Sequence, residues 1–271
     1  MQNSILIYCF INTHICKIMP ALHPYISEEF NSPIWRFEID AVTETMGIEI
    51  RDETEKQVSF STLGLKKGQI QFNGFTTDER WFTGIEAIYN GVLLLHNYQS
   101  ANGPAHKGII AVDAMSTEIL WSNYNYSFER LTANGPVFYD SRFQPKKLFV
   151  ADIKTGAPIR PFGPSVDAEL ENHIEMPQII SPEFLPADLL PPAFYGNSIH
   201  YLQYNNFRIV SLHALQAGQL QQYLYVFDGV DKVYEDLLNT AIQKLQPEAF
   251  IIYKNHLIYI KNKSALIVLA L

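Results

Sequence analysis

Eight histidines, at positions 14, 23, 96, 106, 173, 200, 213 and 256, are the side chains best suited to bind a metal or to exchange protons near neutral pH. No two of them stand at His-x-His or His-x-x-x-His spacing, so no local metal site is written into the chain. His96, His200 and His256 fall in strand-like runs (LLLHNY, SIHYLQY, NHLIYI), where a partly buried structural histidine is the default expectation. Carboxylates are the other candidates, because a glycosidase needs two acids facing one bond. Asp40, Glu86, Glu129 and Glu248 are placed to open the inner strands of different repeats. The acidic stretch EIRDETEK, Glu49 to Lys56, reads instead as a solvated turn. There is no Gly-x-Ser-x-Gly elbow, no phosphate-binding loop and no Gly-x-Gly-x-x-Gly. Both cysteines, Cys9 and Cys16, precede residue 17, so the rest of the chain offers no thiol nucleophile or thiolate ligand. The reading assigns no catalytic residue, no cofactor and no metal ligand.

The elements that would have to position such residues are strands. The 271 residues are 47% hydrophobic, 13% aromatic and 18% charged, a composition that builds one large core. A net charge of −8 without any basic run argues against a nucleic-acid partner. No apolar run is long enough to span a membrane as a helix. At the N-terminus, ILIYCFINTHICKIM lacks a preceding basic region and a small-residue cleavage site. Residues 1–18 read as upstream translation with Met19 as the start, residues 1–33 as an arm, and the protein as cytoplasmic; the alternative is a signal peptide and an exported protein.

Tryptophans at 35, 81 and 121 each sit in or close a short apolar run, and Arg160 falls where a fourth would come. Self-similarity at 40–50 residues with short strands between is the signature of four-stranded propeller blades. Asn90-Gly91 and Asn134-Gly135 recur at a similar offset within the repeat and suit two-residue hairpin turns. Residues 162–196 are proline-rich with little alternation and read as a long insertion. Residues 234–245 carry apolar residues at helical spacing and predict a short helix. The chain ends on three strands, and PIWRFEID near its start is an orphan that would supply the fourth. The fold class is thus all-β: one propeller over residues 34–271, of five blades, or six if the proline-rich stretch holds a degenerate one. Joining its two ends removes the exposed sheet edges.

Residues 111–121 (Ala111, Asp113, Ser116, Thr117, Trp121) and 150–160 (Val150, Asp152, Thr155, Gly156, Arg160) resemble the repeat of quinoprotein-like propellers, Ala-x-Asp-x-x-Thr-Gly-x-x-x-Trp, with a weaker echo at Asp228. The resemblance implies that Asp caps the turn, Gly takes positive φ and Trp wedges between blades. It does not imply a quinone, because the blades have no cysteine to make the disulfide found at such cofactors. The opening FNSPIWRFEID and the turn ADIKTG also resemble an uncharacterised bacterial family of the Bacteroidetes, which carries no function over. The expected function is a non-enzymatic propeller that binds a protein or small ligand on one face. SNYNYSFER, residues 122–130, is the aromatic stretch best suited to that contact. The alternative is a carbohydrate-active hydrolase with carboxylates at the axis.

Overall fold

A computed structural model describes residues 21–100, 103–185 and 194–271. The start-site reading, both cysteines and part of the proline-rich stretch lie outside the described residues. The first strand, β1 (Pro24–Glu29), belongs to the last blade. Blade I follows as β2 (Ile34–Ile39), β3 (Thr45–Asp52), β4 (Gln57–Gly64) and β5 (Gln69–Phe75). Blade II is β6 (Thr83–Tyr89), β7 (Val92–Tyr98), β8 (His106–Asp113) and β9 (Ile119–Asn123). Blade III is β10 (Tyr126–Thr132), β11 (Gly135–Asp140), β12 (Phe149–Ala151) and β13 (Pro158–Pro161). Two short strands come next, β14 (Ile174–Glu175) and β15 (Gln178–Ile180). Blade IV is β16 (Phe194–Tyr204), β17 (Phe207–Gln216), β18 (Gln219–Asp228) and β19 (Asp231–Ile242). Blade V is β20 (Ile251–Tyr253), β21 (His256–Lys261), β22 (Ala265–Ala270) and then β1.

The middle strands explain the apolar runs. β3, β7 and β22 are buried on consecutive residues, because both faces of a blade pack against neighbours. Separate clusters of buried side chains join blades V and I (Tyr253 and Leu266 with Ile48 and Leu63), I and II (Phe60 with Leu93), II and III (Leu94 with Phe138), and IV and V (Leu224 with Leu257). Between III and II, Trp121 does what its motif implies. Its indole lies against Gly156 of the next blade, where an added Cβ would come within 2.7 Å of the ring, and its Nε1–H donates to Ile153 O at 2.8 Å. Gly156 sits at φ 69°, so both the turn and the close approach require glycine. Asp113 Oδ1 accepts from the backbone N–H of Met115 and Ser116, and Asp152 Oδ1 from that of Lys154 and Thr155.

The ends of the chain do close the ring, but through a different strand. β1 pairs with β22 from Pro24↔Leu269 to Glu29↔Ala265, burying Ile26. This segment reads as arm because an edge strand needs only one apolar side chain inward and carries charges outward. PIWRFEID is instead the first strand of blade I, and Trp35 is 63% exposed. Trp81 lies in the link ahead of β6, so of the three tryptophans only Trp121 stands on a fourth strand.

Three other expectations are corrected. Residues 231–242 form a strand, not a helix: β19 pairs with β18, and three register shifts along that pair break the two-residue period. EIRDETEK is a turn only from residue 53, since Glu49 is 2% exposed within β3. At Asn134-Gly135 the pairing Thr132↔Gly135 leaves Ala133 and Asn134 in the turn, whereas Asn90 and Gly91 are the turn, both at positive φ. No sixth sheet forms among the described residues.

The insertion takes a course that bears on function. Leu170 N–H donates to Leu131 O of β10, β14 pairs with β20, and β15 pairs with β16. These are the first strands of blades III, V and IV, and the first strand of a blade lines a propeller's axis. The chain's own segment therefore covers three inner edges.

Candidate functional site

Antiparallel blades put their connections at two ends, and the ends differ. The 1–2 and 3–4 turns are tight and tied down by aspartates. Asp40 is fully buried there, accepting from Val42 N–H at 2.9 Å and from Gly91 N–H of blade II at 2.8 Å. It opens no axial site. At the other end lie the long 2–3 connections of blades II and III, and Phe82, Tyr124 and Phe143 stand exposed there beside Trp35 at the start of β2. Of the aromatic residues in the stretch 122–130, only Tyr124 stands out, at 65% exposure, while Tyr126 and Phe128 pack on Phe138.

The loop-rich end of blade II brings together three side chains from three adjacent strands. Glu86 is the extra residue of a bulge on β6, since Ile85 pairs with Leu95 and Ala87 with Leu94. His106 opens β8 two residues before Gly108, which is the extra residue of a second bulge and sits at φ 71°. His96 faces them from β7. Glu86 Oε2 lies 2.9 Å from Nδ1 of both histidines. The two imidazoles are stacked, with centroids 3.5 Å apart and planes 9° apart, and Tyr98 meets both edge-on.

The contacts to Glu86 are unequal. The one from His106 is a hydrogen bond, and because a carboxylate only accepts, the proton is on His106 Nδ1. The one from His96, though as short, does not count as a hydrogen bond. His96 is 1% exposed and neither of its ring nitrogens has a partner. Burial pushes the Glu86 carboxyl up, but the two imidazoles outweigh it and hold it below the usual carboxylate range. Burial, followed by the neighbouring His96, pulls His106 below its ordinary value. At neutral pH the site thus holds a carboxylate beside a neutral His106.

Blade I supports this group from behind. Arg51 lies between the rings of Trp35 and Trp81, 5.4 and 5.1 Å from their centroids, and its guanidinium donates to Glu49 and to Thr83 O. Glu49 Oε2 accepts from Ile85 N–H at 2.8 Å. Gly84 lets Glu49 and His96 approach, since a Cβ there would stand 3.1 Å from each.

The other candidates do not converge on this group. Glu129 is the bulge residue of β10 and faces Lys146 at 3.4 Å. Glu248 is exposed on the link to blade V, with its backbone O bound by Gln222. His200 bonds Pro247 O, and His256 bonds the Tyr25 hydroxyl. His106 carries no motif in the sequence; only the hairpin register that sets β8 against β7 brings it to His96.

Residues 39–121 match the family model of a domain of unknown function, DUF4905. The matched span takes in blade I from the end of β2, most of blade II, and all three residues of the Glu86 group. No curated protein matches the sequence. Solved structures similar to this chain include a eukaryotic initiation factor, at 10% identity over 90% of this chain and 53% of that one, with a TM-score of 0.28. A second is the exo-beta-1,3-galactanase of Phanerochaete chrysosporium, at 10% identity over 89% and 64%, TM-score 0.29. A third is the endo-arabinase of Bacteroides thetaiotaomicron, at 11% identity over 93% and 97%, TM-score 0.25. The chain spans about half and about two thirds of the length of the first two. At such TM-scores none of them carries an argument about function.

Proposed function

We infer that this is a binding propeller without catalytic chemistry, which seats a protein segment or small ligand on its loop-rich face. The observation that carries the reading is the course of residues 166–180 along the inner edges of blades III, IV and V. A hydrolase on this fold works in an open axial cleft with one carboxylic acid kept protonated by a raised pKa. Here the axial side is lined by the chain itself. Among the described residues, every carboxyl group whose acidity the structure shifts is shifted downward: Glu44, Asp52, Glu86, Asp140 and Asp167. Paired acids of this kind accept protons poorly and suit binding better than general acid catalysis.

The test is a thermal-shift screen of the whole chain against oligosaccharides, nucleotides and peptides, with reducing-end release followed on the same oligosaccharides. A ligand whose shift is lost in Tyr124→Ala and kept in Val42→Ser, on the opposite face, is the expected result. Sugar release that disappears in Glu86→Gln would overturn the reading in favour of hydrolysis.

A further inference from the structure

We propose that Glu86, His96 and His106 form a binding site for one divalent transition-metal cation, with Zn²⁺ as its representative probe. The site does not depend on the absence of catalysis, because such an ion would serve a binding face and a reactive one alike.

The donor set is the first argument. Two imidazoles and a carboxylate, with their donor atoms within 4.8 Å of one another, are the ligands that borderline divalent cations take. Zn–N and Zn–O bonds of about 2 Å need donors only slightly further apart than the 2.9 Å seen here. Convergence is the second. A single carboxylate oxygen, Glu86 Oε2, lies 2.9 Å from one nitrogen of each ring, so three strands bring their donors to one place. The third is His96 itself. An imidazole with both nitrogens unbonded and almost no exposure lacks the partners that buried polar groups nearly always find. A cation beside Glu86 supplies the missing one.

Blade III supplies the fourth argument. Glu129 occupies the same bulge position as Glu86, and Tyr139, paired with Ser127, occupies the position of His96, paired with Gly84. Where His106 stands in blade II, blade III has Lys146, whose ammonium lies 3.4 Å from Glu129 Oε2 and 4.1 Å from the Tyr139 ring centroid. That blade carries its cation on a side chain. Blade II has exchanged the tyrosine and lysine for two histidines, so the cation beside its carboxylate has to come from solution.

The geometry also says what binding must change. In stacked rings the in-plane lone pairs run parallel and cannot converge on one ion. His106, whose side chain is about one third exposed, is free to swing out of the stack while His96 stays packed. Its one ring proton then moves through solvent from Nδ1 to Nε2, so the imidazole stays neutral as Nδ1 takes the metal.

The experiment is calorimetric titration of the metal-stripped full chain with Zn²⁺, in two buffers of different ionisation enthalpy. Variants are Glu86→Gln, His106→Ala, the near-isosteric His106→Gln, and the pair Cys9→Ser with Cys16→Ser. Expected are one equivalent bound with no net proton release, so that the enthalpy is the same in both buffers, binding kept in the cysteine variant, and binding lost in the other three while their metal-free melting stays near that of the parent. Cobalt(II) in the site should absorb in the visible without a thiolate charge-transfer band. Absence of Zn²⁺ binding to the parent chain would overturn the proposal, as would binding that survives Glu86→Gln and His106→Gln, or that depends on the cysteines.

Discussion

Blades II and III are built to one plan and hold opposite kinds of charge pair. Each has a glutamate on a bulge three residues before its first strand ends, a ring two pairs back on the second strand, and a basic side chain at the entry to the third. In blade II the ring and the base are His96 and His106; in blade III they are Tyr139 and Lys146. The repeat preserves backbone geometry, because the bulge re-aims one side chain whatever its neighbours are. It does not preserve chemistry. A lysine stays charged and solvated, half exposed at the surface, whereas His96 is buried and burial pulls His106 below its ordinary value.

The largest expected effect lies at the joint that keeps the two blades in register. Trp121→Ala removes the indole from Gly156 together with its bond to Ile153 O. It should cost about 3 kcal/mol and lower the melting temperature by roughly 6–12 °C. A loss below about 1 kcal/mol would mean that the blades are held chiefly by the Leu94–Phe138 cluster.

Exchanging the two side-chain sets tests whether they alone make the difference. His96→Tyr with His106→Lys should abolish Zn²⁺ binding and leave a folded protein. The reverse exchange in blade III, Tyr139→His with Lys146→His, should raise the stoichiometry from one ion to two. If it stays at one, the bulge is not a sufficient scaffold and the surroundings of blade II, Glu49 and Gly84 among them, are required.

The two blades should also respond to pH at opposite ends. His106 is pulled below its ordinary 6.5, so as pH falls through that value the unfolded chain takes the proton first and stability drops. Glu86, also lowered, adds a loss of the same sign below its ordinary 4.5. Lys146 is raised, chiefly by its contact with Tyr139, so its contribution is present below 10.5 and fades as pH rises through its folded value. Melting curves of His106→Gln should therefore fall less steeply on the acid side than those of the parent, with the alkaline side unchanged. Burial pulls His213 to about 4, so the parent's acid loss contains that residue too, and only the difference between the two proteins reports on the cluster.

The smallest effect is expected from Lys146→Met. Its ammonium is solvated, so the melting temperature should not move measurably. A clear drop would show that the blade III pair is structural in a way its exposure conceals.

Much of the framework was legible residue by residue. The turn aspartates 113 and 152, Gly156 and Trp121 sit where the repeat implies, because turn capping and positive φ are local demands that leave local marks. What failed was non-local. β19 reads as a helix because bulges shift its apolar side chains out of strand period. β1 reads as an arm because an edge strand buries little. Glu49 reads as solvent-exposed because its partners, Arg51 and the Ile85 amide, are brought to it by a neighbouring strand position and the next blade. The candidate site is half visible: Glu86 and His96 stand out as an acid and a histidine of inner or strand-like runs, His106 appears only as one of the eight histidines, and nothing in their spacing joins them.

The sequence by itself determined a ring of short strands with repeating turns, since periodicity and turn chemistry are properties of neighbours along the chain. Only the tertiary structure decided that a strand at residue 24 closes the ring, that the proline-rich segment lines the axis, and that Glu86, His96 and His106 meet. Each of these depends on strand register, and register is fixed by packing between segments far apart in the chain.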